Sequence, residues 1–249
     1  MNSLVLRILA ILALAPFSAS AQAIPESGGV HPFSAVGVAV KFGVAGAGFD
    51  LATPVASWLN VRGGASFFSY STTLVEDGTN VSGAIKFQNG SAMLDIFPFR
   101  NRFRISGGAT VFNKTGFNAA LAVPAGNSFT VGNTDYTSDP SDPIHGTGTF
   151  NFGGSIAPRV SIGFGNMTPR RGHWGFETEA GFQYITRPTV VYVIHGSGCT
   201  GPANTNCGPI SQSSINQEQT NLQNDLSGLR FFPILSIGLS YKLGSSHHD

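Results

Sequence analysis

Eleven charged side chains lie at alternate positions, each opposite an apolar residue, in segments with a two-residue period. Seven are basic and four acidic, and they are Lys41, Asp50, Arg62, Lys86, Asp95, Arg104, Arg159, Glu177, Glu179, Arg230 and Lys242. A period of two places alternate residues on opposite faces of a β-strand. If the apolar faces point outward, these charges are enclosed and can form an ion-pair network. The alternative is a basic-biased pore or small-solute pocket, which requires more strands or a wider cross-section.

The chain has two cysteines, Cys199 and Cys207, eight residues apart. Their spacing closes a small loop, and an export route is oxidising, so a disulfide is the expected chemistry. A metal site is less favoured because the nearest histidine, His195, has no second pair of ligands beside it. Asp135, Asp139 and Asp142 lack the full spacing and terminal Glu of a calcium loop, and we interpret them as a solvated turn.

Other catalytic and cofactor chemistries have little support. His145, His173 and His195 lie beside predicted strand ends, and serines are plentiful, but no G-x-S-x-G motif supplies a nucleophile. The glycines at 43, 46 and 48 resemble a dinucleotide loop, yet no helix pattern follows them. We therefore expect no cofactor. The formal net charge of +1 gives no reason to propose nucleic acid as a partner.

Residues 1–21 have the pattern of a secretory signal peptide. Arg7 precedes an apolar run, and small residues define a cleavage site after Ala21, with Ala23 as the alternative. No later stretch reaches the roughly 18 apolar residues of a membrane helix. Charged residues are 11% of the chain, against about 25% in ordinary globular proteins. We expect one domain over 22–249.

The segments that carry the charges are predicted to be about eight antiparallel strands, with eight to twelve possible. The clearest is 229–243, read as LRFFPILSIGLSYKL, in which the odd positions are almost all apolar. Long loops are expected near 124–144 and 196–228, and a possible Ser214/Gln217 capping box predicts a short helix over 214–226. In 81–96 the apolar phase slips at Asn89-Gly90, which indicates a bulge or, less well, a hairpin turn.

The signal peptide, the alternating strands, the short and long connections and the closing strand together resemble bacterial outer-membrane β-barrel proteins. The stretches GGASFFSYSTT, AMLDIFPF and RNRFRISGGATVFN are similar to an uncharacterised group of them, with no catalytic residue to carry across. The resemblance implies an up-and-down transmembrane barrel in the cell outer membrane. Its partners would be outer-membrane lipid, the barrel insertion machinery and an extracellular ligand bound by the loops.

Three functional hypotheses follow. The first is a non-enzymatic barrel with a structural or surface-binding role and a lumen filled by charged side chains. The second is a small diffusion pore, because basic residues outnumber acidic ones on the enclosed face. The third is a lipid-modifying acyl hydrolase at the barrel rim. A soluble β-sandwich is the structural alternative, in which the apolar faces would pack against one another.

Overall fold

The structure is a computed structural model that describes residues 31–76, 79–152, 154 and 156–244. The predicted signal peptide at 1–21 lies outside the described residues. No helix in the described part of the chain has the length and apolar character needed to cross a membrane.

Within the described ranges the chain forms fifteen strands and one α-helix, α1 (Gln212–Asp225). The strands are β1 (Val36–Gly43), β2 (Gly46–Ala56), β3 (Leu59–Glu76), β4 (Thr79–Ile96), β5 (Phe103–Asn113), β6 (Gly116–Ala122), β7 (Ser128–Val131), β8 (Thr134–Ser138), β9 (His145–Asn151), β10 (Ala157–Phe164), β11 (Trp174–Tyr184), β12 (Thr189–His195), β13 (Ser197–Thr200), β14 (Asn206–Pro209) and β15 (Phe231–Leu243).

Eight of the described strands close into a ring in the order β1-β2-β3-β4-β5-β10-β11-β15, and β15 pairs back with β1. Every neighbouring pair is antiparallel. The fold is therefore a closed up-and-down β-barrel, and it confirms the predicted all-β class and the count of eight. We call the end that holds Val36, Leu243 and the turns at 57–58, 97–102 and 165–173 the lower end, and the opposite end the upper end.

Alternation within the ring strands places apolar side chains outside and polar ones inside. In β15 the odd positions, such as Ile237 (58% exposed) and Leu239 (59%), face outward, whereas Ser240 and Lys242 are buried. In β10, Ile162 is exposed while Arg159 and Ser161 are buried. A β-sandwich would bury these apolar faces, so the outward orientation excludes that structural alternative.

Above the ring, five strands continue as an open sheet, which we call the extension. Its order is the upper part of β3, the upper part of β4, β6, β9 and β12. Aligned across four of these strands, Ile85 lies opposite Phe117, Phe117 opposite Phe150, and Phe150 opposite Val190. Ile85 has the same parity as the buried Phe87, so this apolar row lies on the side that continues the barrel interior. The outer face carries polar side chains at Ser71, Thr73, Ser82, Lys86, Asn118 and Thr147.

Along β4, β6 and β9 the extension reverses the polarity of the ring, with apolar residues inward and polar ones outward, whereas β12 exposes Val191 and Val193 on the outer face. In β4 this reversal occurs without any change of register, because β3 and β4 stay paired from Leu59↔Ile96 to Glu76↔Thr79. The phase slip at Asn89-Gly90 is therefore not an irregularity of β4: the strand is regular there, and the apolar residues change from one face to the other. The predicted bulge is on the partner strand instead, where Gly90 pairs with Phe112 and Ser91 with Thr110, so that Val111 has no partner.

The two predicted loops contain more regular structure than expected. Segment 124–144 contains β7 and β8, segment 196–228 contains β13 and β14, and the four strands form a second sheet in the order β14-β13-β8-β7. This sheet encloses an apolar cluster of Val123, Val131, Tyr136, Ile144 and Ile210, against which Ile215 of α1 packs. The predicted helix is present, but its N-cap is Ser211, whose hydroxyl accepts a hydrogen bond from the Ser214 amide.

Candidate functional site: the barrel interior

Nine of the eleven charged residues singled out in the sequence are buried in the ring. They are Lys41, Asp50, Arg62, Asp95, Arg104, Arg159, Glu177, Glu179 and Lys242. Each lies on an inward position of its strand, because the outward positions beside it are taken by apolar residues. Among the described residues, five cations and four carboxylates are thus enclosed by the ring.

Lys86 and Arg230 lie elsewhere, so their assignment to the interior is wrong. Lys86 is on β4 above the polarity reversal, on the exposed outer face of the extension, where water solvates its ammonium group. Arg230 precedes β15, and its Nη1 donates to the hydroxyl of the outward-facing Tyr184 at 3.3 Å.

Arg62 is the centre of the interior and is 1% exposed. Its Nε and Nη2 donate to the two oxygens of Asp95 at 2.9 and 3.0 Å, which is the bidentate geometry of a strong arginine–carboxylate pair. Its Nη1 donates to Asp50 Oδ2 at 2.9 Å and to Glu179 Oε2 at 3.0 Å. One guanidinium therefore joins three carboxylates from three strands.

Two further cations complete a group that we call the ion-pair cluster: Lys41, Asp50, Arg62, Asp95, Arg159 and Glu179. Lys41 Nζ donates to Asp50 Oδ1 at 2.6 Å, and Arg159 Nη2 donates to Glu179 Oε1 at 2.9 Å. The hydroxyls of Ser106 and Ser161 donate to Asp95 and Glu179, each at 2.6 Å. Each carboxylate thus has at least two donors, as buried charges require.

The cluster spans the barrel because its members come from opposite walls. Asp50, Arg62 and Asp95 lie on the adjacent strands β2, β3 and β4, whereas Glu179 lies on β11, which is four strands from β3 around the ring through β15. Gly64 leaves space for the Asp50 carboxylate, since a Cβ at this position would lie 1.8 Å from Asp50 Oδ1. The sequence reads Arg62-Gly63-Gly64, so the glycine that admits the carboxylate follows two residues after the arginine.

A second ion pair lies below the cluster. Arg104 of β5 donates through Nη1 to Glu177 of β11 and to the Gly165 carbonyl. Ser240 donates to the other Glu177 oxygen at 3.1 Å. This pair is set close to the lower end, where the strands begin to enter the 165–173 turn.

The 165–173 turn closes the lower end by folding under the interior. Met167 is 2% exposed and packs with Ala39 and Ala52. Asn60 donates to Asn166 Oδ1 at 3.0 Å and to the Thr168 hydroxyl. Lys242 Nζ donates to the Pro169 carbonyl at 2.7 Å, which fixes the turn to the last strand. Alternation within strands gave no signal that this turn contributes to the interior.

Above the ion-pair cluster lies a small pocket that opens to solvent. We call it the mouth pocket, and every ring strand contributes to its wall. Its polar lining residues are Lys41, Ser66, Asn89, Asn113, Thr115, Arg159, Gln183 and Ser236. Phe87 and Phe232 form an apolar part of the wall, with ring centroids 5.5 Å apart. The sequence analysis missed this site, although the inward parity of Phe87 beside Asn89 was visible in the pattern.

The cysteines form the expected disulfide, which joins β13 to β14 in the second sheet. Asp139 lies near the two sulfurs, but both are bonded to each other. Asp139 instead accepts hydrogen bonds from the amide and the hydroxyl of Ser141, which lower the pKa of its carboxyl. Asp135 and Asp142 accept from Thr130 and Ser197 respectively. Among the described residues these three acids serve separate local contacts.

The histidines considered for catalysis also have separate positions. His145 and His195 are paired across β9 and β12, at the upper end of the extension. His173 lies at the lower end, where its ring stacks on Tyr241 and Nδ1 lies 3.0 Å from the Lys242 carbonyl. In the described part of the chain none of the three is hydrogen-bonded to a serine.

Comparison with known proteins supports the fold. No protein family matches the chain, and no curated protein matches it significantly in sequence. Two crystal structures do match in shape. Acinetobacter baumannii CarO has a TM-score of 0.55 and 21% identity, over 85% of this chain and 97% of that one. Acinetobacter baumannii CarO2 has a TM-score of 0.56 and 15% identity, over 86% of this chain and all of that one. At these identities the likeness shows a shared barrel fold.

Proposed function

We propose that the chain is an outer-membrane β-barrel with a non-enzymatic, structural or surface-binding role, whose lumen is occluded by the ion-pair cluster. The barrel fits into lipid by its outward apolar face, and the extension, the second sheet and α1 project from the membrane on the outer side. The role in binding belongs to this projecting part, because the lower end offers only short connections.

The outer wall supports the membrane assignment. Its exposed residues between the two ends are Val40, Phe49, Leu51, Val61, Leu94, Ile105, Val160, Ile162, Phe176, Leu235, Ile237 and Leu239. Aromatic residues flank this band: Trp58, Trp174 and Tyr241 near the lower end, and Phe67, Phe112, Tyr184 and Phe231 near the upper end. Strand β11 runs from one girdle to the other in 11 residues. Ten steps of about 3.4 Å at a tilt of about 40° give about 26 Å, the height of the apolar band in such barrels.

The observation that carries the occluded lumen is the position of Arg62. Its guanidinium hydrogen-bonds to carboxylates on β2, β4 and β11, so the group crosses the cross-section that a solute would have to pass. Dissociation of this group from three carboxylates in a low-dielectric interior is costly. In an eight-stranded barrel the interior is just wide enough for side chains to fill.

The test is conductance of the purified protein in planar lipid bilayers, with an open porin as the positive control. We expect no steady single-channel current from inserted barrels, and the folded state is verified by a difference in gel mobility that heating abolishes. Steady current steps would remove the occluded lumen. Recovery of the protein in the periplasmic fraction would remove the membrane assignment, and changed lipid profiles on overexpression would contradict the non-enzymatic role.

A small diffusion pore is the second candidate, and the mouth pocket is the observation in its favour. The pocket reaches from the upper end down to Lys41 and Arg159 of the ion-pair cluster. For solutes to pass, the cluster and the 165–173 turn would both have to move aside. Liposome-swelling assays decide between the two candidates: uptake of small sugars or amino acids supports the pore, and its absence supports the occluded barrel.

A further inference from the structure

The mouth pocket has a charged wall of one sign. Lys41 and Arg159 line it, and the described residues in its lining include no Asp or Glu. The nearest carboxylates, Asp50 and Glu179, belong to the cluster below, where Arg62 already binds both. Charged N–H donors in a low-dielectric wall make their strongest hydrogen bonds to acceptors that carry negative charge.

Arg159 also has a buried hydrogen-bond donor without an acceptor in the described part of the chain. The residue is 6% exposed, and its Nη2 donates to Glu179. Its Nε is buried and has no acceptor among the described residues. Lys41, 7% exposed, uses its ammonium group for Asp50 and retains further N–H donors. A buried guanidinium N–H without an acceptor is unfavourable, and an acceptor bound in the pocket beside Arg159 would satisfy it.

The rest of the wall limits the size and character of the ligand. Phe87, Phe232 and Ile185 provide apolar surface, and Gln183 is held by the Thr110 hydroxyl, which donates to its side-chain oxygen at 2.7 Å. Apolar walls strengthen the hydrogen bonds of a charged group and accept a short alkyl chain. Because three carboxylates already balance the three cations of the ion-pair cluster, a ligand with one negative charge adds less uncompensated charge to the site than a doubly charged one.

We propose that the mouth pocket binds the carboxylate of a small monovalent organic acid, with Arg159 and Lys41 as its hydrogen-bond donors and the apolar wall against its alkyl group. This inference rests on the proposed occluded lumen, because a barrel blocked at the ion-pair cluster makes the pocket a blind-ended binding site.

The test is a titration of the full mature protein in detergent micelles with acetate at constant ionic strength, followed by saturation-transfer NMR. Acetamide is the neutral isostere, and chloride is the competitor that distinguishes a halide site from a carboxylate site. We expect saturable binding of acetate, none of acetamide, and no displacement by equimolar chloride. Absence of acetate binding, equal binding of acetamide, or displacement by equimolar chloride would overturn the proposal.

Three variants locate the site. Arg159→Gln and Lys41→Gln should each weaken acetate binding about tenfold or more, since each removes a charge-assisted donor. Lys242→Gln removes an interior cation at the lower end and is the matched control, with an expected change under about twofold. Equal weakening in all three would show a nonspecific charge effect and refute the assignment. Lys41→Gln keeps the test decisive if Arg159→Gln fails to fold, because Asp50 retains Arg62.

Conductance measured on the same preparation separates the two proposals. Steady current would overturn the occluded lumen whether or not acetate binds. A silent barrel that does not bind acetate would overturn only the anion site.

Discussion

Replacement of Arg62 by Met is the sharpest perturbation of the interior. The variant loses five donor–acceptor contacts between 2.9 and 3.4 Å, to Asp50, Asp95 and Glu179. Asp50 keeps Lys41, and Glu179 keeps Arg159 and a serine, but Asp95 keeps only the Ser106 hydroxyl. Asp95 therefore becomes a buried carboxylate without a cation.

Removal of one partner of a buried ion pair costs about 3–5 kcal/mol, because the remaining charge is uncompensated. Contacts to the other two carboxylates add to this loss, whereas protonation of Asp95 reduces it, so we expect the free energy of unfolding to fall by about 4 kcal/mol. The double variant Arg62→Met/Asp95→Asn removes the stranded charge and should recover about half of that loss.

The assay is urea-induced unfolding of the barrel in lipid vesicles, followed by the mobility difference between folded and unfolded protein on gels. Arg62→Met should shift the midpoint to lower urea, and the double variant should lie between it and the wild type. If the free energy of unfolding of Arg62→Met lies within about 0.5 kcal/mol of the wild-type value, the ion-pair cluster does not stabilise the barrel.

Three further variants test other parts of the fold. Ile162→Lys on the lipid-facing wall should cost about 2–4 kcal/mol in urea unfolding in vesicles, whereas Thr73→Lys on the polar face of the extension should stay within about 0.5 kcal/mol; equal effects would contradict the membrane placement. Cys199→Ser with Cys207→Ser should speed proteolytic cleavage near 199–207 without changing the gel shift of the barrel; loss of that shift would show that the disulfide supports the whole fold. Gly64→Ala should displace the Asp50 carboxylate and lower the free energy of unfolding by about 1–3 kcal/mol, seen as a lower urea midpoint. An unchanged midpoint would refute the tight packing at Gly64.

The ring was predictable because alternation is a local signal. In 229–243 the two faces differ at nearly every residue, and β15 follows that pattern from Phe231 to Leu243. The disulfide was equally accessible, since two cysteines at a short spacing in an exported chain have one simple outcome. Nine of the eleven charged residues lie inside for the same reason, as each shares the polar phase of a ring strand.

Lys86 and Arg230 lie outside the barrel interior because the outward-apolar, inward-polar pattern applies only to the ring. The sequence assignment treated every strand as if lipid lay along its full length. Lys86 lies on the part of β4 that belongs to the extension, where the polar face is the outer one. Phe152 and Ile162 share the apolar phase of 145–165 in the sequence, yet Phe152 lines the mouth pocket whereas Ile162 is exposed. Phe152 follows β9 of the extension, whereas Ile162 lies on β10 of the ring.

Tertiary contacts explain the rest of what sequence reasoning missed. The 165–173 turn fills the lower end through contacts with Ala39, Ala52 and Asn60, which are more than 100 residues away in the chain. The second sheet pairs β8 with β13, from two segments that each look polar and turn-rich. The mouth pocket is built by all eight ring strands. Local pattern contains no information about such distant partners.

The unpaired Val111 exchanges the outward-facing and inward-facing positions of the chain that follows it. From Phe103 to Val123 the apolar residues stay at odd positions. The unpaired Val111 shifts the alternation of side chains by one residue, so the odd positions face outward in β5 and inward in β6. In β4 the side chains alternate without interruption, and the apolar residues move from the even positions in the ring to the odd positions in the extension instead. The two adjacent strands thus place apolar residues on the inner face of the extension in different ways: β4 by a change in its sequence pattern, and β5 with β6 by a bulge. If Val111 paired with Gly90 and the ladder continued without the bulge, Phe117 and Leu121 would lie on the outer face and Asn118 on the covered face.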